Sequence, residues 1–318
     1  MNDKWIWDFW LARDDDRRWH CYFLQADKSL GDPEFRHFNV TQGHASSCDL
    51  VNWTHHGTCF APARTRAWDD CTTWTGSVLK GANGLWHYFY TGTQRSENGL
   101  KQRIGHAVGH DMHNWERVGT GLALDLDPSR YEEYKPGFWH DRALRDPWVM
   151  PHPEGTGWLM AYTARVPASD EPNANGAIGL AVSEDLDHWE AGDPLYVGSF
   201  GQLEVPQIFA LNGTWYCLFS VGRDHWSRSS LVSHPWPRVR GTHYLIAESF
   251  DGPWQLAPGP FLTSVSETEL YACRILFDNG APFLMGFLHD TPDGEFIGAI
   301  SDPIRVDVST SGLLSLAL

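Results

Sequence analysis

The chain has 318 residues with 42% hydrophobic content, enough to bury a large core as two domains or as one big all-β unit. Against 24 Lys and Arg stand 40 Asp and Glu, a formal net charge of −16. With the acidic surplus spread along the chain and no basic face, nucleic acid is excluded as a partner. No window approaches roughly 18 apolar residues, so no membrane helix is expected.

The opening stretch MNDKWIWDFW, with its Met1, lacks the basic-then-apolar order of a secretion signal. A cytoplasmic product is therefore expected. Six cysteines (21, 48, 59, 71, 217 and 273) show neither CxxC nor metal-ligand spacing and read as small buried hydrophobes. The sixteen histidines are scattered, and the His55-His56 pair and the HNW and DHW triplets read as turn and surface positions. No metal and no cofactor is expected. GxSxG, P-loop and GxGxxG motifs are absent.

Aromatic residues make up 14% of the chain, and 30 Gly and 19 Pro cut it into short segments. Short apolar or alternating runs between turn residues indicate strands rather than helices. The elements recur in one order. The first repeat opens with WIWDFWLA (5–12), then RRWHCYFLQA (17–26), then HASSCDLVNW (44–53). The second runs TWTGSVL (73–79), NGLWHYFYTG (83–92), HAVGHDMHNW (106–115). LRDPWVM (144–150), GTGWLMAYTA (155–164) and LAVSEDLDHW (180–189) form the third. LEVPQIFAL (203–211), NGTWYCLFSV (212–221) and IAESFDGPW (246–254) form the fourth. The fifth keeps LYACRIL (270–276) and NGAPFLMGFL (279–288). Trp19, Trp86, Trp158, Trp215 and Pro282 take the same place in the five, at intervals of 67, 72, 57 and 67 residues. Such a repeat, holding about four short strands, is the signature of propeller blades. The fold expected is all-β: a five-bladed β-propeller forming one domain over 1–318.

In a propeller the innermost strand of each blade lines the central channel. One hairpin before each of these five positions, eleven or twelve residues back, stand Asp8, Thr75, Asp146, Glu204 and Tyr271. Three are carboxylates in otherwise apolar strands. A charge there is costly unless it is paired, with Arg145 and Arg274 as available partners, or faces a wet cavity. Three at matching depth favour a shared pocket. Crowded carboxylates split their pKa values, which glycosidic-bond hydrolysis requires of its nucleophile or base and its proton donor.

These residues resemble the β-fructosidase superfamily, glycoside hydrolase families 32 and 68. WHCYFLQ (19–25), GHASSCDLVNW (43–53) and EVPQIF (204–209) are similar to family 32 elements, and WTGSV (74–78) resembles a strand shared by both families. WDFW (7–10) looks more like the family 68 start. The resemblance implies Asp8 as nucleophile, Glu204 as acid/base, and Asp146 with Arg145 gripping sugar hydroxyls. Trp7 and Val205 replace residues usual beside the family 32 nucleophile and acid, and a propeller without the family's usual C-terminal β-sandwich is expected. Gln25, Trp7, Trp74 and Thr75 are further candidates for binding a small carbohydrate substrate. His20 and Gln25 lie on opposite sides of one strand, one expected to support blade packing and the other to reach the channel. Of Trp7, Trp10, Trp74 and Trp148, which flank the carboxylate strands, two are expected to touch sugar.

The activity expected is retaining hydrolysis or transfer of a β-fructofuranosyl unit. The alternatives are an inverting family 43-like arabinofuranosidase or xylosidase, and a non-catalytic carbohydrate-binding propeller. Apolar neighbours and like charges are expected to raise the Glu204 pKa.

Overall fold

A computed structural model describes residues 3–264 and 269–317. Five antiparallel sheets follow one another along the chain and close into a ring, the expected propeller. Blade one is β1 (Lys4–Arg13), β2 (Trp19–Asp27), β3 (Thr41–Ser47) and β4 (Thr54–Phe60). Blade two is β5 (Thr72–Lys80), β6 (Trp86–Thr93), β7 (Gln102–Gly109) and β8 (Glu116–Leu124). Blade three is β9 (Leu144–Pro151), β10 (Trp158–Arg165), β11 (Gly176–Ser183), β12 (Glu190–Ala191) and β13 (Tyr196–Val197), the last two both pairing with β11. Blade four is β14 (Glu204–Leu211), β15 (Thr214–Val221), β16 (Gly241–Ala247) and β17 (Gln255–Leu256). Blade five is β18 (Leu270–Asp278), β19 (Ala281–Asp290), β20 (Phe296–Ile300), β21 (Ile304–Val308) and β22 (Leu314–Leu316). Every strand among the described residues belongs to one of these blades. No helix among them is long and apolar enough to cross a membrane.

The repeated aromatic strands β2, β6, β10, β15 and β19 are second in their blades, each paired to the inner strand before it. Both faces of such a strand meet a neighbouring blade, which is why these segments are apolar throughout rather than alternating. Tyr22 and Tyr88, on β2 and β6, meet edge to face at 5.3 Å, and Trp10 is fully buried beside them. Truncating Trp10 to Ala would cost about 3–5 kcal/mol by the usual toll for a buried aromatic. Trp19, Trp86 and Trp158 begin their strands and Trp215 is the second residue of β15, where they close the hairpin from the inner strand. All six cysteines are free thiols, four of them buried.

The inner strands share one irregularity. The pairing register slips at Asp8 in β1, at Thr75 in β5, and over Asp146–Pro147, Val205–Pro206 and Ala272–Cys273 in the other three. Each slip is a β-bulge, which bends the strand and re-aims a side chain. Three bulges place a non-glycine residue in the left-handed region: Asp146 at φ 60°, Val205 at 54° and Ala272 at 46°. In β5 the bulge brings the chain so close to its partner that a Cβ on Gly76 would sit 2.0 Å from the Phe89 carbonyl oxygen. Glycine is required there.

Candidate active site

The five bulges converge. Asp8, Thr75, Asp146, Glu204 and Tyr271, one from each blade, line a single cavity of about 590 Å³ at the end of the ring where the inner strands begin. The spacing argument therefore located all five. The Thr75 hydroxyl donates to Asp8 Oδ2 at 2.6 Å. Thr163, on β10, donates to Asp146 Oδ2 at 2.8 Å, and the Val205 amide reaches the same oxygen at 3.2 Å. Arg145 Nη2 donates to Glu204 Oε1 at 2.8 Å, while its Nε stands 3.4 Å from Asp146 Oδ2. The Tyr271 hydroxyl donates to Glu204 Oε2. Arg145 is itself held by Gln202 at 2.8 Å and Gln102 at 3.2 Å.

Pairing with arginine thus explains part of the carboxylate cluster, and only through Arg145. Arg274 does not bind a carboxylate directly. It lies buried beneath the site, its Nη1 donating to the carbonyls of Pro206 at 2.8 Å and Val205 at 3.2 Å. There it fastens the blade-four bulge to blade five and lends positive charge from below. Burial pulls its own pKa down to about 10.

The electrostatics reverse one expectation. Burial, then the charge of Asp146, raise the Asp8 pKa to about 7, against the opposing Thr75 hydrogen bond. Asp146 is also raised, by burial, although Arg145 opposes it. Glu204 goes the other way. Burial alone would raise it, but the Arg145 charge and the Tyr271 hydrogen bond outweigh burial and hold its carboxyl below the ordinary range. The expected upward shift of Glu204 is therefore wrong, because apolar chain neighbours say nothing about an arginine arriving from another blade. In the free pocket the one proton of the Asp8–Glu204 pair rests chiefly on Asp8.

Two of the four flanking tryptophans line the cavity. Trp7 packs beside His37 and Arg36, and Trp74 donates from Nε1 to the His37 carbonyl at 2.9 Å. Trp10 is core, and Trp148 bonds the Ile208 carbonyl at 3.2 Å away from the cavity. Gln25 is not in the site. It is buried within blade one, donating to Thr58 at 2.9 Å and Thr41 at 3.3 Å, and Leu24 reaches the cavity instead. His20 does not reach it either; it bonds His44 at the other end of the blade. A second strand has neighbouring blades on both sides, so alternation carries neither residue to the axis.

Other lining residues carry no repeat signal: Arg36 and His37 on the β2–β3 connection, Gln102 on β7, Gln202 just before β14, His225 after β15 and His289 on β19. Gln202, two residues before Glu204, is the one whose position hinted at a role. The lining offers carboxylates, aromatic walls and charged hydrogen-bond donors. Such a cleft suits a small polyhydroxylated molecule.

The carboxylates at the mouth of this propeller are the groups that cleavage of a glycosidic bond uses. Residues 14–295 match the N-terminal domain of glycosyl hydrolases family 32, and the chain belongs to that family. The matched span begins after β1 and does not include Asp8. The sucrose-6-phosphate hydrolase of Bacillus subtilis (strain 168) is 28% identical over 180 residues, covering 54% of this chain and 33% of that protein. An invertase of Wickerhamomyces anomalus is 28% identical over 206 residues, or 62% of this chain and 32% of its own. The chain thus spans about a third of the length of these curated relatives. In fold it resembles an inulosucrase from Halalkalicoccus jeotgali bound to kestose, with a TM-score of 0.82 and 22% identity over 99% of this chain and 87% of the other. It also resembles a Bacillus subtilis levansucrase in complex with oligosaccharides, with a TM-score of 0.77 and 13% identity over 99% and 86%. Membership in family 32 sets aside the family 43-like alternative.

Proposed function

We propose that this protein cleaves or transfers a β-fructofuranosyl unit with retention of configuration. The observation that carries the reading is the convergence of Asp8, Asp146 and Glu204 in one cavity of a family 32 propeller. The names of its relatives, a sucrose-6-phosphate hydrolase, an invertase and an inulosucrase, support the substrate class.

In this reading an Asp8 oxygen attacks the anomeric carbon as the bond to the leaving oxygen breaks, and the proton of Glu204 passes to that oxygen. Water, or another sugar hydroxyl, then attacks the covalent intermediate. Glu204 takes its proton, and Asp8 departs as carboxylate. Asp146 and Arg145 hold the hydroxyls beside the reacting carbon, and Trp7 and Trp74 flank the ring. Three carboxylates, one able to carry the proton, are more than a binding pocket needs, which weighs against a non-catalytic propeller. A cytoplasmic setting belongs to the same proposal and is supported by the six free cysteines.

The test is product analysis on sucrose, inulin-type and levan-type oligomers and aryl arabinofuranosides. Fructose release or fructosyl transfer from the first three is expected. Turnover of arabinofuranosides alone would overturn the substrate class, and no turnover of any of them would leave the binding propeller.

A further inference from the structure

At the end of the ring away from the cavity, the β3–β4 strands of blade one and the β7–β8 turn of blade two bring His44, His56 and His113 together. One ring nitrogen of each lies within 4.8 Å of the others, and the three ring centroids are mutually 4.7 Å apart. His44 is fully buried, whereas His56 and His113 are exposed. The turn carrying His113 is set by Asp111, whose Oδ1 accepts from the His113 and Asn114 amides, both at 2.8 Å.

The hydrogen bonds fix the tautomers. His20 Nε2 faces the Asp14 carboxylate at 3.2 Å, which can only accept, so this nitrogen carries the hydrogen. Neutral His20 is then bare at Nδ1, which lies 2.9 Å from His44 Nε2. That nitrogen must donate in turn. His44 Nδ1 is left as an unprotonated lone pair, buried and without a hydrogen-bond partner. His56 is oriented by the bond between its Nε2 and the Ser46 hydroxyl at 2.9 Å.

We propose that His44, His56 and His113 form a binding site for a divalent transition-metal ion, Zn²⁺ or a similar imidazole-preferring ion, bridging blades one and two. Three imidazole ligands suit such an ion and do not suit Ca²⁺ or Mg²⁺, which take oxygen ligands. The Asp14–His20–His44 chain is the outer support expected of a metal-bound histidine, fixing the ring and raising its basicity. Binding would draw the two exposed rings in to nitrogen–metal bonds of about 2.0–2.1 Å. Because the ion would sit at the far end of the blades, it braces the ring and leaves the sugar pocket untouched.

Blade two repeats the device in altered form. His87 Nδ1 meets His106 Nε2 at 2.8 Å, and Asp187 stands where His113 stands in the first site, 3.4 Å from His106 Nδ1. This second cluster gives the internal control.

Untagged protein stripped with chelator is titrated with ZnCl2 by calorimetry and by thermal melting, and with Co²⁺ by visible absorption. A raised Tm and the absorption bands of a tetrahedral Co²⁺ centre are expected. The pair His56→Ala and His113→Ala, both on the surface, should remove them while leaving the folded chain and its sugar-cleaving rate unchanged. Asp14→Ala should weaken binding by about 10–100-fold, as loss of an outer-shell partner does. Asp187→Asn should leave the site intact. The proposal fails if Zn²⁺ neither binds nor raises the Tm, or if the double variant retains both effects. It also fails if Asp187→Asn alone abolishes them. None of these outcomes depends on which sugar the cavity takes.

Discussion

Arg145 is the hinge of the pocket's charge: its Nη2 donates to Glu204 at 2.8 Å while its Nε stands 3.4 Å from Asp146, so one guanidinium spans blades three and four. Buried and braced by Gln102 and Gln202, it opposes on both carboxylates the rise that burial would impose. Arg145→Gln keeps some hydrogen bonding and removes the charge. Its kcat/KM on a fructoside should fall by about 10²–10³-fold, the usual toll for one preorganised donor at a reacting centre. A variant within a few-fold of wild type would show that Arg145 only fills space.

The pH dependence follows from the reversed pair. Asp8 is raised to about 7 and Glu204 is lowered, so a single proton is shared across the interval between them. Turnover needs that singly protonated pair with the proton on Glu204, a minor form of the free pocket. As pH rises through about 7 the last proton leaves and none remains to donate. As pH falls below the lowered Glu204 value, the second proton arrives and Asp8 is no longer a nucleophile. Profiles of kcat/KM against pH should be bell-shaped with the alkaline limb near 7. A rate still climbing at pH of about 9 would contradict this assignment.

Removing the donor separates the two roles. With Glu204→Gln, substrates with good leaving groups, such as a fructosyl fluoride, need little protonation in the first step, and should be spared relative to sucrose-type substrates. Only Asp8 then titrates, so the alkaline limb should vanish. The acid limb should fall below pH of about 7, because Glu204 no longer adds its charge to Asp8. Asp8→Asn should instead lose several orders of magnitude on both kinds of substrate. Equal losses on both in Glu204→Gln would move the proton donor elsewhere, with Asp146 next to be tested.

Asp8, Thr75, Asp146, Glu204 and Tyr271 were legible in the sequence because hairpin length is conserved from blade to blade. Counting back eleven or twelve residues from a strand-two Trp lands on the same depth of the inner strand, where every blade carries its bulge. Gln25 was misplaced by alternation, which presumes one wet and one dry face, whereas β2 has a blade on each side. The direction of the Glu204 shift was misread for a different reason. Its cause is a charge from blade three and a hydroxyl from blade five, and no local pattern encodes those distances. The same holds for His44, His56 and His113, which look like scattered turn residues until three segments fold onto one spot.

Thr75 ties blade two to Asp8, the proposed nucleophile, and its role separates positioning from bulk. The hydroxyl donates to Asp8 Oδ2 at 2.6 Å, and this bond lowers the Asp8 pKa against burial and the charge of Asp146. Thr75→Val keeps the shape and deletes the donor. A hydrogen bond to a charged group contributes about 1.5–3 kcal/mol, so the proton affinity of Asp8 should rise about tenfold or more. In a Glu204→Gln background, where Asp8 titrates alone, the acid limb should move to higher pH and the neutral-pH rate should drop accordingly. Thr75→Ser restores the hydroxyl and should return the limb to its original position despite the lost methyl. If Val and Ser shift the limb equally, packing at the bulge controls Asp8 and the hydrogen bond does not.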